Sequence, residues 1–348
     1  MKLIDKIKLS ASSTIKQALQ LIDSGASKIA IVVDDDGVLL GTLTDGDIRR
    51  AILSGTTLDD VIDGVFNTRP TVVSVNASKE EIINICTSKK IYQIPVIDDN
   101  RRVLSVDMLD ELLKPEIHPN KVVLMVGGLG TRLRPLTENT PKPMLLVGGK
   151  PILQTIVEKF LSYGYVNIIM CVNYKSHIIQ DHFGDGSEFG VNIEYVLENE
   201  RLGTAGALKL LKTRPDKPFF VMNGDLLTNI NFEHLFEFHQ TNNAVASMCV
   251  REYDFQVPYG VVNLDNGLIK SIEEKPVHKF FVSAGIYMLQ PQCIDYIPDG
   301  QQYDMPTLFD KLIEKNQKTV SFPLREYWID IGRIEEYEKA NSDYHEVF

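Results

Sequence analysis

From residue 121 onward the chain repeats one pattern: a short, continuous apolar run, a polar or glycine-containing break, then apolar positions at helical spacing. The run Val122-Val123-Leu124-Met125-Val126 is rich in β-branched residues and too short for a helix, so it reads as a buried strand. The spacing predicts strands over 121–127, 167–172, 192–198 and 218–223, with helices over about 151–163, 176–183 and 204–212. Regular strand–helix alternation predicts βαβ units, an α/β fold with a mostly parallel sheet, and ligands at the C-terminal strand ends.

The first 115 residues have a different rhythm. Ser13 to Ile22 has helical spacing with a Ser/Thr start, Ile29 to Val33 is a strand, and Asp34-Asp35-Asp36-Gly37 is a turn. A weaker copy follows, with a helix over Glu80 to Ser88, a strand over Ile94 to Ile97, and a turn at Asp98-Asp99-Asn100. The offset is 98 − 34 = 64 residues. Such a repeat predicts two similar units burying a shared face. Lys114 to Asn120 contains Pro115 and Pro119 and reads as a linker, giving domains at 1–115 and 119–348.

Composition narrows the partners. The 348 residues suit two domains, and no apolar run approaches the roughly 20 residues that span a bilayer. Met1-Lys2-Leu3-Ile4-Asp5 lacks the apolar core of a signal peptide, so a cytoplasmic protein with no membrane association is expected. A net charge of −11 argues against nucleic acid as a partner. Cys86, Cys171, Cys249 and Cys293 are widely spaced and read as buried thiols. The seven histidines show no metal-ligand pairing, and the pairs His177/His182 and His234/His239 read as solvated helix residues.

The chemistry concentrates after the strand at 121–127. Gly127, Gly128 and Gly130 allow the backbone to approach an anion and aim N–H groups at it, while Arg132 and Lys142 add charge. A P-loop would end in Gly-Lys-Ser/Thr, and a dinucleotide fingerprint would have a small residue where Leu133 stands. The stretch from Gly127 through Thr131, Pro141-Lys142-Pro143-Met144-Leu145 and Val147-Gly148-Gly149-Lys150-Pro151 resembles the signature of sugar-1-phosphate nucleotidyltransferases, a Rossmann-like α/β family. Val126 departs from the family's usual Ala and is expected to tighten the nucleotide pocket slightly.

That resemblance assigns expectations to further residues. Asp225, in Asn223-Gly224-Asp225 after an apolar strand, and Asp330, in Trp328-Ile329-Asp330-Ile331-Gly332, match the family's two Mg²⁺ carboxylates. Arg132, Lys142 and Lys275 match its catalytic cations. Gly127, Gly128, Gly130, Thr131, Gly203 and Thr204 match the nucleotide site, and Gly260, Glu274 and Gly285 the sugar pocket. Gly285 also reads as an ordinary sheet bulge. Glu198 occupies the place that reads the base edge in the family; the alternative is a solvated acid in the polar run Glu198-Asn199-Glu200-Arg201.

The N-terminal repeat resembles tandem CBS motifs. By that resemblance Thr44 and Asp47 would hold an adenine nucleotide, while the aligned Ser105, Met108 and Glu111 depart from the pattern. A dimerisation module without ligand is the other reading. The whole chain thus resembles guanylyltransferases that join GTP to glucosamine 1-phosphate, and is expected to be a homo-oligomer. Mannose 1-phosphate as substrate, UTP or dTTP as donor, or a silent nucleotide-sensing subunit are the alternatives.

Overall fold

The computed structural model describes residues 3–25 and 28–348. The chain divides into two compact units, one ending at Pro115 and one beginning at Glu116.

The N-terminal unit is built twice from one plan. Lys8–Leu9, Ile29–Val33 and Leu39–Thr44 form one three-stranded sheet; Val73–Ser74, Gln93–Ile97 and Val103–Met108 form the other, each with a parallel and an antiparallel pairing. The turns repeat atom for atom: Asp34 Oδ1 accepts from the amides of Asp36 and Val38, and Asp98 Oδ1 from those of Asn100 and Arg102. The two turns meet where Leu39 N donates to Arg101 O. A side-chain carboxylate that closes its own turn explains why the acidic triplet marks the repeat.

The C-terminal unit is organised on one seven-stranded sheet. In chain order its strands are β1 (His118–Met125), β2 (Tyr165–Val172), β3 (Asn192–Leu197), β4 (Phe219–Asn223), β5 (Ala246–Gln256), β6 (Val277–Leu289) and β7 (Thr319–Pro323). Their spatial order is β3-β2-β1-β4-β6-β5-β7; β6 alone runs antiparallel to its neighbours. Period-two alternation sends successive side chains into two cores. Val122 and Leu124 join Phe220 and Met222 on one face, against Ile152–Ser162 and Phe232–Thr241. Val123 joins Phe219 and Val221 on the other, against Met305–Glu314.

Three expectations are corrected. His118, Pro119 and Asn120 belong to β1 rather than to a linker, and the β1–β2 register shifts beside them. Such an irregularity accommodates a proline that has no N–H for the ladder, and Asn120 Nδ2 donates to Pro218 O. The helix expected over 204–212 is one α-turn, Gly203–Gly206, followed by a 3₁₀ turn. The amides of Ala205 and Gly206 donate to Tyr303 O, outside the helix.

His239 is fully buried, not solvated. Its Nδ1 pairs with Ser247 Oγ at 2.8 Å and its Nε2 lies 3.2 Å from Gln290 Nε2. Burial pushes its pKa down to about 4. All four cysteines are buried free thiols.

The lowered histidine pKa predicts an acid weakness. Between the unfolded value near 6.5 and the folded value near 4, the unfolded state binds a proton that the folded state refuses, so stability falls with pH. The fully developed loss is roughly 3 kcal/mol. Urea unfolding of wild type and His239→Gln at pH 7 and pH 4.5 is expected to show a shallower pH slope in the variant. Equal slopes would count against a buried neutral imidazole.

Candidate active site

A cleft of about 270 Å³ opens at the C-terminal ends of β1 to β4, lined by Val126-Gly127-Gly128, Asn173, Glu198 and Asn223-Gly224-Asp225 among others. It lies where the strand order reverses on either side of β1, the place where doubly wound sheets leave a crevice. Two of the three loop glycines are constrained to be small. A Cβ on Gly127 would stand 3.0 Å from Glu198 Oε1, whereas one on Gly128 meets nothing within 4 Å. Gly130 has φ +61, and a Cβ there would lie 2.9 Å from Thr137 Cγ2 and 3.1 Å from Lys142 Cβ. Thr137 Oγ1 donates to Gly130 O at 2.7 Å, which folds the loop back onto the lysine.

Val126 lines the cleft, as expected of a residue that would tighten it, and its side chain is 1 % exposed and also part of the core, where a Cβ on Gly224 would collide with its Cγ1 at 2.2 Å. The valine therefore requires glycine at 224.

Asp225 and Asp330 are 330 − 225 = 105 positions apart, yet adjacent. The antiparallel pairing of Leu226–Thr228 with Trp328–Asp330 joins them, and Ile331 N donates to Asp225 O. Trp328 Nε1 anchors its strand by donating to Ala284 O. Lys142, 7 % exposed, donates to Asp225 Oδ2, and its Nζ lies 3.6 Å from Asp330 Oδ1. Among the described residues, Asp225 Oδ1 finds no hydrogen-bond partner although it is buried. Burial first, and then the charge of Asp225, raise the Asp330 pKa; Lys142 and Arg132 oppose that rise. Arg132 closes the group, its Nη2 being 3.4 Å from where a Gly332 Cβ would stand. Two carboxylates sharing one ammonium, with one oxygen orphaned, fit a divalent cation whose other ligands are phosphate oxygens and water.

At the other end of the cleft, Glu198 is 9 % exposed. The polar run turns inward there, while Asn199, Glu200 and Arg201 are exposed. Asn173 Nδ2 holds the Glu198 carbonyl at 2.7 Å, Leu202 N donates to its carboxylate, and burial raises its pKa. Gly203 has φ +75, with Asp304 Oδ1 2.5 Å from where its Cβ would be. Thr204 donates through its amide and hydroxyl to that Asp304 oxygen, and its hydroxyl accepts from Met305 N.

Sequence reasoning missed Asn173, Arg201 and Gln302, which line the cleft, and Asp304, which braces it. Asp304-Met305-Pro306 was readable as a helix start, but nothing in it points to Thr204.

The remaining candidates lie elsewhere. Thr131 and Arg132 begin a short 3₁₀ turn beyond the cleft lining. β5 and β6 continue past the sheet as a two-stranded ribbon, extended by the hairpin Val261–Asp265/Leu268–Glu273, which turns at Asn266 (φ 47) and Gly267 (φ 86). Gly260 and Glu274 face each other on this extension, and Glu274 and Lys275 are exposed; none of the three lines the cleft. Gly285, with φ +71, lies where the β5–β6 register shifts, and a Cβ there would stand 2.7 Å from Asn223 Nδ2. It is thus both an irregularity of the sheet and the support beneath a cleft residue.

In the N-terminal unit Thr44 and Asp47 border a cleft of about 360 Å³ with Asn67, Arg69 and Tyr92. Asp47 Oδ2 accepts from Thr44 N and Oγ1, and its Oδ1 from Arg50, so the pair already forms a capping box. The equivalent Met108 caps its helix with no side-chain hydrogen bond.

A glycine loop over paired carboxylates, on a 3-2-1-4 sheet, defines a doubly wound α/β protein with its cleft at the strand ends. The chain belongs to the nucleotidyl transferase family, which residues 121–347 match, and residues 4–54 match the CBS domain. It is 36% identical over 225 residues to the mannose-1-phosphate guanyltransferase of Yarrowia lipolytica, covering 62% of this chain and 62% of that protein. It is 33% identical over 242 residues to the UTP–glucose-1-phosphate uridylyltransferase of Synechocystis sp., covering 63% and 62%. The chain thus spans about six-tenths of the length of these relatives. The crystal structure of HddC from Yersinia pseudotuberculosis complexed with GMP-PN superposes with TM-score 0.51 at 28% identity, over 65% of this chain and 99% of that one.

Gly130→Ala tests the loop. A left-handed φ and a 2.9 Å clash with Thr137 are expected to cost about 1–2 kcal/mol, lowering Tm by several degrees. An unchanged Tm in a thermal melt would show that the loop shifts without strain.

Proposed function

We propose that this protein transfers GMP from GTP to a sugar 1-phosphate, releasing pyrophosphate, with glucosamine 1-phosphate as the sugar. The observation that carries the reaction class is the Asp225–Lys142–Asp330 group beneath the glycine loop. Relatives named for guanyl and for uridylyl transfer align at similar identity, so they support the class without choosing the base. The buried Glu198 supports guanine. Guanine presents N1–H and N2–H₂ side by side, two donors that one carboxylate accepts, whereas uracil and thymine flank one N–H with carbonyl oxygens. The joining of CBS motifs to such a transferase supports glucosamine over mannose.

The reaction needs positioning more than proton transfer. A sugar phosphate is already ionised at pH 7, so its oxygen attacks the α-phosphorus and pyrophosphate leaves without a general base. Mg²⁺ held by Asp225 and Asp330 would supply charge neutralisation at the phosphate oxygens. Gly127, Gly128, Gly130 and Thr131 approach the phosphates through backbone, Lys142 fixes the two carboxylates, and Arg132 faces the departing pyrophosphate. Gly203 and Thr204 support the base and ribose. Gly260, Gly285, Glu274 and Lys275 serve the sugar phosphate, the last two from the ribbon. In the N-terminal unit an adenine nucleotide would take the Asp47 carboxylate from its capping box, with Thr44 at the phosphate.

A panel of GTP, UTP, dTTP and ATP against glucosamine, mannose and glucose 1-phosphates, read by pyrophosphate release, tests the whole assignment. Asp225→Asn and Asp330→Asn are each expected to lower kcat on the order of 10²-fold or more, and EDTA to abolish turnover. Full activity in any of these would refute the metal role. Glu198→Gln is expected to lose roughly 1.5–3 kcal/mol of the preference for GTP over UTP in kcat/KM. An unchanged ratio would mean that Glu198 does not read the base.

A further inference from the structure

One helix, Ile334–Val347, touches the chain beside both Lys142 and Asp330. At its start Glu336 holds the third helical position, from which a carboxylate ordinarily reaches back to the amide of the capping residue. Here it reaches one residue further, and Gly332 N donates to Glu336 Oε2 at 2.8 Å. The same amide donates to Asp330 O at 3.0 Å, so the glutamate fixes the turn by which the chain leaves Asp330. A Cβ on Gly332 would stand 3.3 Å from that Glu336 oxygen and 3.4 Å from Arg132 Nη2, and the bare residue is what lets both charged groups approach.

Further along, Tyr337, Asn341 and Tyr344 share one helical face, and all three meet the hairpin that follows Lys142. Tyr337 Oη donates to Leu146 O at 2.8 Å, and Asn341 Oδ1 accepts from Gly148 N at 3.2 Å. The Tyr344 ring occupies the space beside Gly148, where a Cβ would lie 1.9 Å from its Cδ1. The hairpin, Leu146–Val147 with Lys150–Pro151, continues directly from the 3₁₀ turn Lys142–Met144, and Leu145 N donates to Lys142 O.

We propose that this helix sets the spacing of Lys142 and Asp330 at which the site takes a divalent cation, with Glu336 and Asn341 as positioning residues, one for each partner. Both act through the amide of a glycine. Glycine has the most backbone freedom to lose, so a fixed acceptor beside each charged group restricts the chain where it would otherwise be loosest. Neither acceptor is needed to dock the helix, because Ala340 is buried in the core and Tyr337 and Tyr344 pack against it. A misplacement of about 1 Å caused away from the reacting atoms costs on the order of 10²-fold in rate, so small losses of spacing are readable in turnover. For that catalytic consequence alone the inference rests on the transferase reading.

The test uses the full-length protein and two readouts. Trp328, the only tryptophan, stands two residues before Asp330, so its fluorescence reports on the metal end of the site without turnover. Titration with Mn²⁺ alone is expected to quench it in wild type, and Glu336→Ala and Asn341→Ala are each expected to raise the half-saturating concentration about 5-fold or more. In pyrophosphate release the same variants are expected to lower kcat about 10-fold with KM for GTP little changed, and to melt within a few degrees of wild type. Glu336→Gln and Asn341→Asp keep the accepting oxygen and are expected to recover most of both losses. Alanine variants with wild-type quenching would overturn the proposal, as would conservative variants no better than alanine, or a wild type that Mn²⁺ does not quench. A protein that shows the expected quenching series but releases no pyrophosphate would refute the transferase reading and uphold the role of the helix.

Discussion

Two carboxylates held side by side repel each other, and the site depends on what opposes that repulsion. Lys142 lies within reach of both Asp225 and Asp330, in a place too buried for water to screen them fully. Losing the lysine would leave the half-buried Asp225 and the more exposed Asp330 facing each other with Arg132 as the nearby cation. Losing one aspartate would leave the ammonium with half its counter-charge. The group holds together only as a unit, which is why it depends on three distant segments: the loop after β1, the end of β4, and the strand Trp328–Asp330.

Backbone geometry delivers those segments. Gly130 turns the loop through a left-handed conformation so that Lys142 comes under it, and Gly224 lets the end of β4 pass against Val126. Asp304 does similar work at the Glu198 end of the cleft, tying Thr204 to the start of the helix Met305–Glu314. In each place a small residue permits an approach and a polar contact fixes it. The cleft is therefore formed by packing from behind as much as by the residues that line it.

Much of this was legible in the sequence, and the exceptions have physical causes. Short apolar runs mark β1, β2 and β4 because they are buried on both faces, and the repeated acidic turns mark the N-terminal duplication because a local carboxylate closes each one. The partnership of Asp225 and Asp330 was readable only through resemblance, since no periodicity links positions 105 apart. The short helix at Gly203 escaped because its amides turn to Tyr303, a tertiary partner that local propensity does not contain. His239 looked like a polar helix residue until Ser247 and Gln290 appeared beside it. Pro119 looked like a linker because the neighbouring bulge that accommodates it is a property of the sheet.

β6 belongs to two places at once. Its second half pairs with β4 directly behind Asn223, its first half forms one edge of the exposed ribbon, and Gly285 lies between them against that asparagine. A side chain at 285 would therefore be felt in two places, pressing on Asn223 in the cleft and on the irregularity from which the ribbon departs, so the one position where the strand must stay bare is the one that serves both.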